Sequence, residues 1–184
     1  LAYISVRTKF FGRSTLDFLT WIPSLLPGVV MGLGFLWFFL ESPVFRPLYG
    51  TMTVLVTVVA LSSMTRSVQM LKANLLQLGP ELEEASRASG AAWSYTFRRI
   101  LVPLMAPMLA AVGILVFASA SRTASHVALL ASSSTRPLSL MQLDYMIGGT
   151  FEAASVVGVI ILLFTVGVAL LARVFGLEVG PNGE

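Results

Sequence analysis

Residues Pro80 to Pro103 read PELEEASRASGAAWSYTFRRILVP, and the sequence around them decides the fold. The stretch carries Glu81, Glu83 and Glu84 among nine acidic residues, and Arg87, Arg98 and Arg99 among twelve basic ones. Apolar blocks stand on both sides of it. Charge set so densely between apolar runs has to lie in water or against another protein, because an unpaired charge is costly to bury.

Four blocks of the chain are free of charge: Phe18 to Leu40, Pro47 to Thr65, Ile100 to Ser121 and Ala153 to Ala172. Their lengths, 23, 19, 22 and 20 residues, approach the roughly 20 that a helix needs to cross about 30 Å of hydrocarbon. Hydrophobic residues make up 56% of the chain and charged ones 11%, against roughly a quarter charged in ordinary soluble domains. A membrane β-barrel would show alternating strands, which are absent, so the expectation is an all-α membrane protein. It has about four full transmembrane helices plus the end of a preceding one. The net charge of +3 is too small for a nucleic-acid partner. With no cysteine, thiolate metal sites and cysteine nucleophiles are excluded.

Leu1 to Val6, followed by Arg7, Lys9 and Arg13, reads as the last turns of an apolar helix reaching a basic membrane face. The chain is therefore expected to be a fragment with more protein upstream. Four crossings put Arg7, Lys9, Arg13, Arg66, Lys72, Arg87, Arg98, Arg99 and Arg173 on one side, and Arg46, Arg122 and Arg136 on the other. The excess of basic residues marks the first side, with the polar stretch, as cytoplasmic. The tail from 176 to 184, rich in Gly, Pro and Asn, is expected to be disordered on that side.

The first block contains Pro23, Pro27, Gly28 and Gly32. The prolines should kink the helix near its cytoplasmic end, and Gly28-x-x-x-Gly32 offers close approach to another helix. All four residues are candidates for pathway lining or packing. Ser62 to Gln69 forms a polar run after which the helix continues to about Leu78, where Gly79-Pro80 breaks it. Arg66 could line a polar pathway, but the preferred reading is that it snorkels to the headgroups. Between the last two blocks lies a Ser-rich segment with the one histidine, His126, and an amphipathic piece from Leu138 to Ile147. That segment reads as an external vestibule or re-entrant loop. His126 has no second ligand at metal spacing, so no metal site is expected.

Within the polar stretch, Pro80 suits the first turn of a helix and the three glutamates complement its dipole. Gly90 suits the left-handed residue that ends it. A second helix begins near Ala91 and puts Trp93, Phe97, Ile100 and Leu101 on one face. Pro103 falls where the next span begins or bends. The expectation is a helix–glycine turn–helix along the membrane face.

The same residues resemble the EAA loop of the membrane subunits of ABC importers. Glu84-Ala85-Ser86 stands for Glu-Ala-Ala, Gly90 follows after three residues, and Ile100-Leu-Val-Pro103 after nine more. Ser86 and Val102 are the two departures, both small in volume. Leu1-Ala-Tyr, Ile22-Pro-x-x-Leu-Pro-Gly28, Leu48-Tyr-Gly-Thr51 and Phe151-Glu-Ala-Ala154 extend the likeness to nearly all of residues 1–184. They are similar to the C-terminal half of the ferric-iron type permeases. The resemblance implies a multi-pass permease of the bacterial inner membrane whose segment 80–103 docks on an ABC ATPase subunit. Glu84, Ala85, Ser86, Gly90, Ile100 and Pro103 would be the coupling residues. It also implies a second permease module or subunit, an external or periplasmic solute-binding protein, no cofactor, and no catalysis by this chain. Ferric iron is the implied solute; thiamine, polyamine, phosphonate and sulfate are alternatives. A gradient-driven transporter or channel is the rival class. Such proteins place ionisable groups within their spans, and the four charge-free blocks count against it.

Overall fold

The computed structural model describes residues 1–9 and 11–174. The tail from 176 to 184, expected to be disordered, lies outside the described residues. Nine α-helices and no strand are found among the described residues. In order they are α1 (Ala2–Arg7), α2 (Arg13–Leu25), α3 (Gly28–Glu41), α4 (Met52–Gln77), α5 (Glu81–Ala88), α6 (Trp93–Thr96), α7 (Val102–Arg122), α8 (Leu138–Ile147) and α9 (Phe151–Val174). A π-turn over Phe97–Leu101 joins α6 to α7, so Trp93–Arg122 runs as one rod of 30 residues.

Three of these rods are long and apolar enough to cross a membrane: Met52–Gln77, Trp93–Arg122 and Phe151–Ala172. The fourth expected span, Phe18 to Leu40, is not one kinked helix. It is α2 and α3 meeting at 107°. The reason lies in the two prolines. Pro23 sits inside α2 and lacks the N–H that would bind the preceding turn. Pro27 then forces Leu26 out of helical geometry, to φ −92° and ψ 129°. Pro27 itself is extended at φ −55° and ψ 139°, and α3 restarts at Gly28.

Helix α4 is the centre of the bundle and packs against α1, α2, α3 and α7. One apolar cluster joins it to α3 and to the segment after α7, through Phe39, Val54, Leu55, Val58, Val127 and Leu130. A second, nearer its C-terminal end, joins it to α1 and α7 through Ala2, Val68, Leu75 and Met105. Val58 and Leu130 are completely buried, and these contacts fix the register of the rods. Polar stitches add direction. Thr65 donates to the carbonyl of the fully buried Thr20, and Lys72 pairs with Asp17, both linking α4 to α2. Much of the remaining apolar surface faces outward, as on Trp37 and Phe164, which suits lipid or a neighbouring subunit.

Candidate functional site

Two features carry the chemistry, a helical hairpin at one end of the bundle and a polar cavity inside it. The hairpin starts where α4 stops at Leu78, and α5 follows with Glu81, Glu83 and Glu84 in its first turn. Its end is closed by two backbone bonds, Ala91 N–H to Ser86 C=O at 3.1 Å and Gly90 N–H to Arg87 C=O at 2.9 Å. That pairing requires a left-handed residue between them, and Gly90 supplies it at φ +78°. The hydroxyls of Ser86 and Thr96, both buried, meet at 2.7 Å and clamp α5 to α6.

The face of α5 turned inward is set by Glu83 and Ser86, three residues apart. Glu83 is 3% exposed. Its carboxylate lies 3.0 Å from Arg7 Nε and accepts the Tyr3 hydroxyl at 2.9 Å, and Arg87 stands 3.5 Å away. Arg7 also donates to the terminal carbonyls of α4, at Leu75 (3.1 Å) and Leu78, where a cation meets the negative end of the helix. Tyr3 in turn accepts from Trp93 Nε1 at 3.0 Å and packs edge-on to Phe97, 5.6 Å between centroids. One network thus ties α1, α4, α5 and α6 together. Glu84 and Ala85 occupy the opposite face and are exposed.

Of the six expected coupling residues, Glu84, Ala85 and Gly90 lie on the hairpin's open side, while Ser86 is its internal clamp. Ile100 and Pro103 are placed in the rod that leads away. Of the expected single face, Trp93 and Phe97 do stack, 5.2 Å between ring centroids, while Leu101 is buried and Trp93 exposed. The π-turn shifts the register by one residue, so Thr96 and Leu101, five apart, are the buried pair. Pro103 supplies the cause, since its ring would clash with the carbonyl of Arg99, which the π-turn contains.

The cavity, of about 530 Å³, lies between α2, the start of α3, α4, α7 and the turn around His126. The polar run Ser62 to Gln69 faces it, with Arg66 at its centre. Arg66 lies within α4 and is exposed on the cavity side. It sits fourteen residues after Met52 and eleven before Gln77, about 21 Å along the helix at 1.5 Å per residue. Its guanidinium reaches across to Ser119 Oγ on α7, at 3.3 Å. As expected, the helix outruns the charge-free block that ends at Thr65 and continues to Gln77, with Leu78 as its C-terminal cap.

Pro23 and Gly28 line the same cavity. A Cβ at Gly28 would stand 2.6 Å from Ser125 Oγ, and one at Gly32 would stand 2.9 Å from the His126 carbonyl oxygen. What approaches these glycines is an irregular turn, where a helix was expected. Burial pushes the His126 imidazole below its ordinary pKa, so it is neutral at pH 7. Among the described residues, no three His, Cys, Asp or Glu side chains are placed to hold a metal ion.

The sequence reading missed the roles of Glu83, Tyr3 and Arg7. The spacing of Glu83 and Ser86, and of Glu83 and Arg87, is visible in the sequence, but their partner in α1 is about eighty residues away and is set by packing.

Membrane-crossing rods around a polar cavity, with a charged hairpin tied to their ends, define a polytopic α-helical transport protein. The chain belongs to the family described as binding-protein-dependent transport system inner membrane component, which it matches over residues 1–179. It is 28% identical to the ferric transport system permease protein FbpB of Actinobacillus pleuropneumoniae over 170 residues, 92% of this chain and 24% of that protein. To the Fe(3+)-transport system permease protein FbpB 2 of Haemophilus influenzae it is 24% identical over 165 residues, 90% of this chain and 32% of that one. To the sulfate transport system permease protein CysT of Salmonella typhimurium it is 33% identical over 120 residues, 60% and 43% of the two chains. The chain thus spans about a quarter to under a half of these relatives.

Proposed function

We propose that this chain is the translocation module of an ATP-driven importer, in which the hairpin 80–103 docks on a separate ATPase subunit. The observation that carries this reading is the division of α5 into two faces. Glu83 and Ser86 lock it to the bundle, and Glu84 and Ala85 stand free on the other side. A small residue beside an acceptor suits close docking, and the locked face transmits a push to α1 and α4 as a rigid body. In this account the hairpin and the C-terminus face the cytoplasm, as the distribution of basic residues requires. A second permease module or subunit completes the pathway, whether fused or a second copy, and an external solute-binding protein delivers cargo. ATP hydrolysis belongs to the partner. The names of the relatives favour ferric iron, with sulfate as the second reading.

Arg66 inside α4 reopens the gradient-driven alternative, since such transporters use ionisable groups at membrane depth. An arginine does not release its proton, however, and among the described residues no carboxylate lines the cavity to exchange one with it. The importer reading stands on that ground. Its test is to replace Glu84 or Gly90 with a bulky residue in the full importer and measure solute uptake and ATPase co-purification from membranes. The expected result is loss of uptake with a weakened complex. Unchanged uptake with an unchanged complex would sink the coupling role.

A further inference from the structure

The cavity holds a set of groups that says what kind of cargo it takes. Among the described residues, Arg66 is the one Asp, Glu, Lys or Arg that lines it. Among the described residues its guanidinium has one acceptor, Ser119 Oγ at 3.3 Å, and no carboxylate partner. Gln69 lines the same space, but its Nε2 is shut off from solvent and so from whatever the cavity holds. Since Ser119 accepts from Arg66, its own hydroxyl proton is free to donate.

The broken first span adds to this. Gly28 lines the cavity and opens α3, a helix of 14 residues with no side-chain cap. The first intrahelical bond of α3 is donated by Met31, so the amides of Gly28, Val29 and Val30 have no helical carbonyl to bind. A half-helix that starts at a cavity offers its positive end to it, and such ends favour anions. Trp21, Val59 and Val116 form apolar walls, which strengthen every charge interaction inside. Acceptors are present as well, on neutral His126 and at the end of α2, but among the described residues lining the cavity the sole fixed charge is positive. A bare ferric cation would meet repulsion and no ligand set.

We infer that the cavity around Arg66 is an anion-selective cargo site, built for an oxyanion or for a ferric complex whose ligands leave it net negative. The inference rests on the reading of the chain as an importer's translocation module, and it narrows that module's cargo to one charge class. Arg66 is the specificity-determining residue, Ser119 is its neighbour against the anion, and Gly28 keeps the helix end open to it.

The test uses the full-length permease with its ATPase subunits, purified in detergent for binding and in proteoliposomes with the solute-binding protein for uptake. The probes are labelled sulfate, labelled phosphate and labelled iron supplied as ferric citrate. Binding is measured without the solute-binding protein, for the wild type and for Arg66→Gln, Arg66→Lys and Arg66→Glu. Co-purification of the ATPase subunits reports that each variant is assembled. The expected result is saturable binding of at least one probe, weakened about tenfold or more in Arg66→Gln, because a charge-assisted bond is lost. Arg66→Lys should keep most of it. Binding of sulfate or phosphate alone identifies a free oxyanion, and binding of ferric citrate alone identifies the complexed metal. The inference is overturned if none of the probes binds the wild type, or if Arg66→Gln and Arg66→Glu bind as tightly. Arg66-dependent binding with no ATP-driven uptake would support the anion site and sink the importer reading instead.

Discussion

Removing the Glu83 carboxylate should do two separable things, loosen the hairpin and uncouple it. The side chain is 5% exposed, and Arg7 opposite is shielded too, with 14% of its side chain exposed. Breaking a buried ion pair by deleting one partner costs roughly 3–5 kcal/mol, because the other charge is left uncompensated. Here Arg7 keeps its bonds to the carbonyls of Leu75 and Leu78, so the lower end, about 3 kcal/mol, is expected for Glu83→Ala. Glu83→Gln keeps an acceptor for the Tyr3 hydroxyl and should cost about half as much. Heat denaturation of the solubilised complex reads this as a midpoint lowered by roughly 2–4 °C per kcal/mol. Exposed Glu84→Ala serves as the reference, with a shift near zero. A cycle of Arg7→Met, Glu83→Ala and the double variant should show a coupling of about 1 kcal/mol or more, since the two side chains touch. In proteoliposomes Glu83→Ala should also hydrolyse more ATP per solute moved. If Glu83→Ala behaves like Glu84→Ala, or if the cycle is additive within about 0.5 kcal/mol, the network does not anchor the hairpin.

Three further outcomes follow from the geometry. Gly90→Ala has open space around its new methyl but must hold φ +78°, so it should cost about 1 kcal/mol, visible as a lowered melting midpoint, and Gly90→Asn should cost less. Gly32→Ala meets the His126 carbonyl at 2.9 Å whereas Gly34→Ala meets nothing within 4 Å; the first should impair folding or uptake and the second should be neutral in both. His126 is held neutral by burial, with its folded pKa below the ordinary 6.5. Its contribution to stability is therefore complete above that value and is lost as pH falls through the folded pKa, so His126→Gln should flatten the acid side of a melting-temperature profile.

The layout of the hairpin was legible in the sequence because its signals are local. Pro80, the glutamates of the first turn and Gly90 act within a few residues of themselves, and α5 ends where those signals end it. The same holds for the helix Leu138–Ile147. The continuation of α4 past Thr65 was legible too, since Gly79-Pro80 is the first breaker after it, whereas the cavity that several of its polar side chains line was not. The 107° break of the first span needed the prolines in combination with what packs against them, since a proline kink alone does not dictate so large an angle. The partnership of Glu83 with Tyr3 and Arg7 and the reach of Arg66 to Ser119 join residues far apart in the chain. No local pattern announces such pairs; they exist only once the rods are assembled.

The central claim is that the free face of α5 docks on an ATPase subunit, and the sequence contains no cysteine to confuse a cross-linking experiment. With Ala85→Cys placed in the assembled importer, a short bifunctional thiol reagent should join it to a cysteine introduced in the ATPase subunit's cleft, and ATP should change the yield. Arg136→Cys, exposed in the segment between α7 and α8, should give no such product. A cross-link from Arg136→Cys and none from Ala85→Cys would contradict the account.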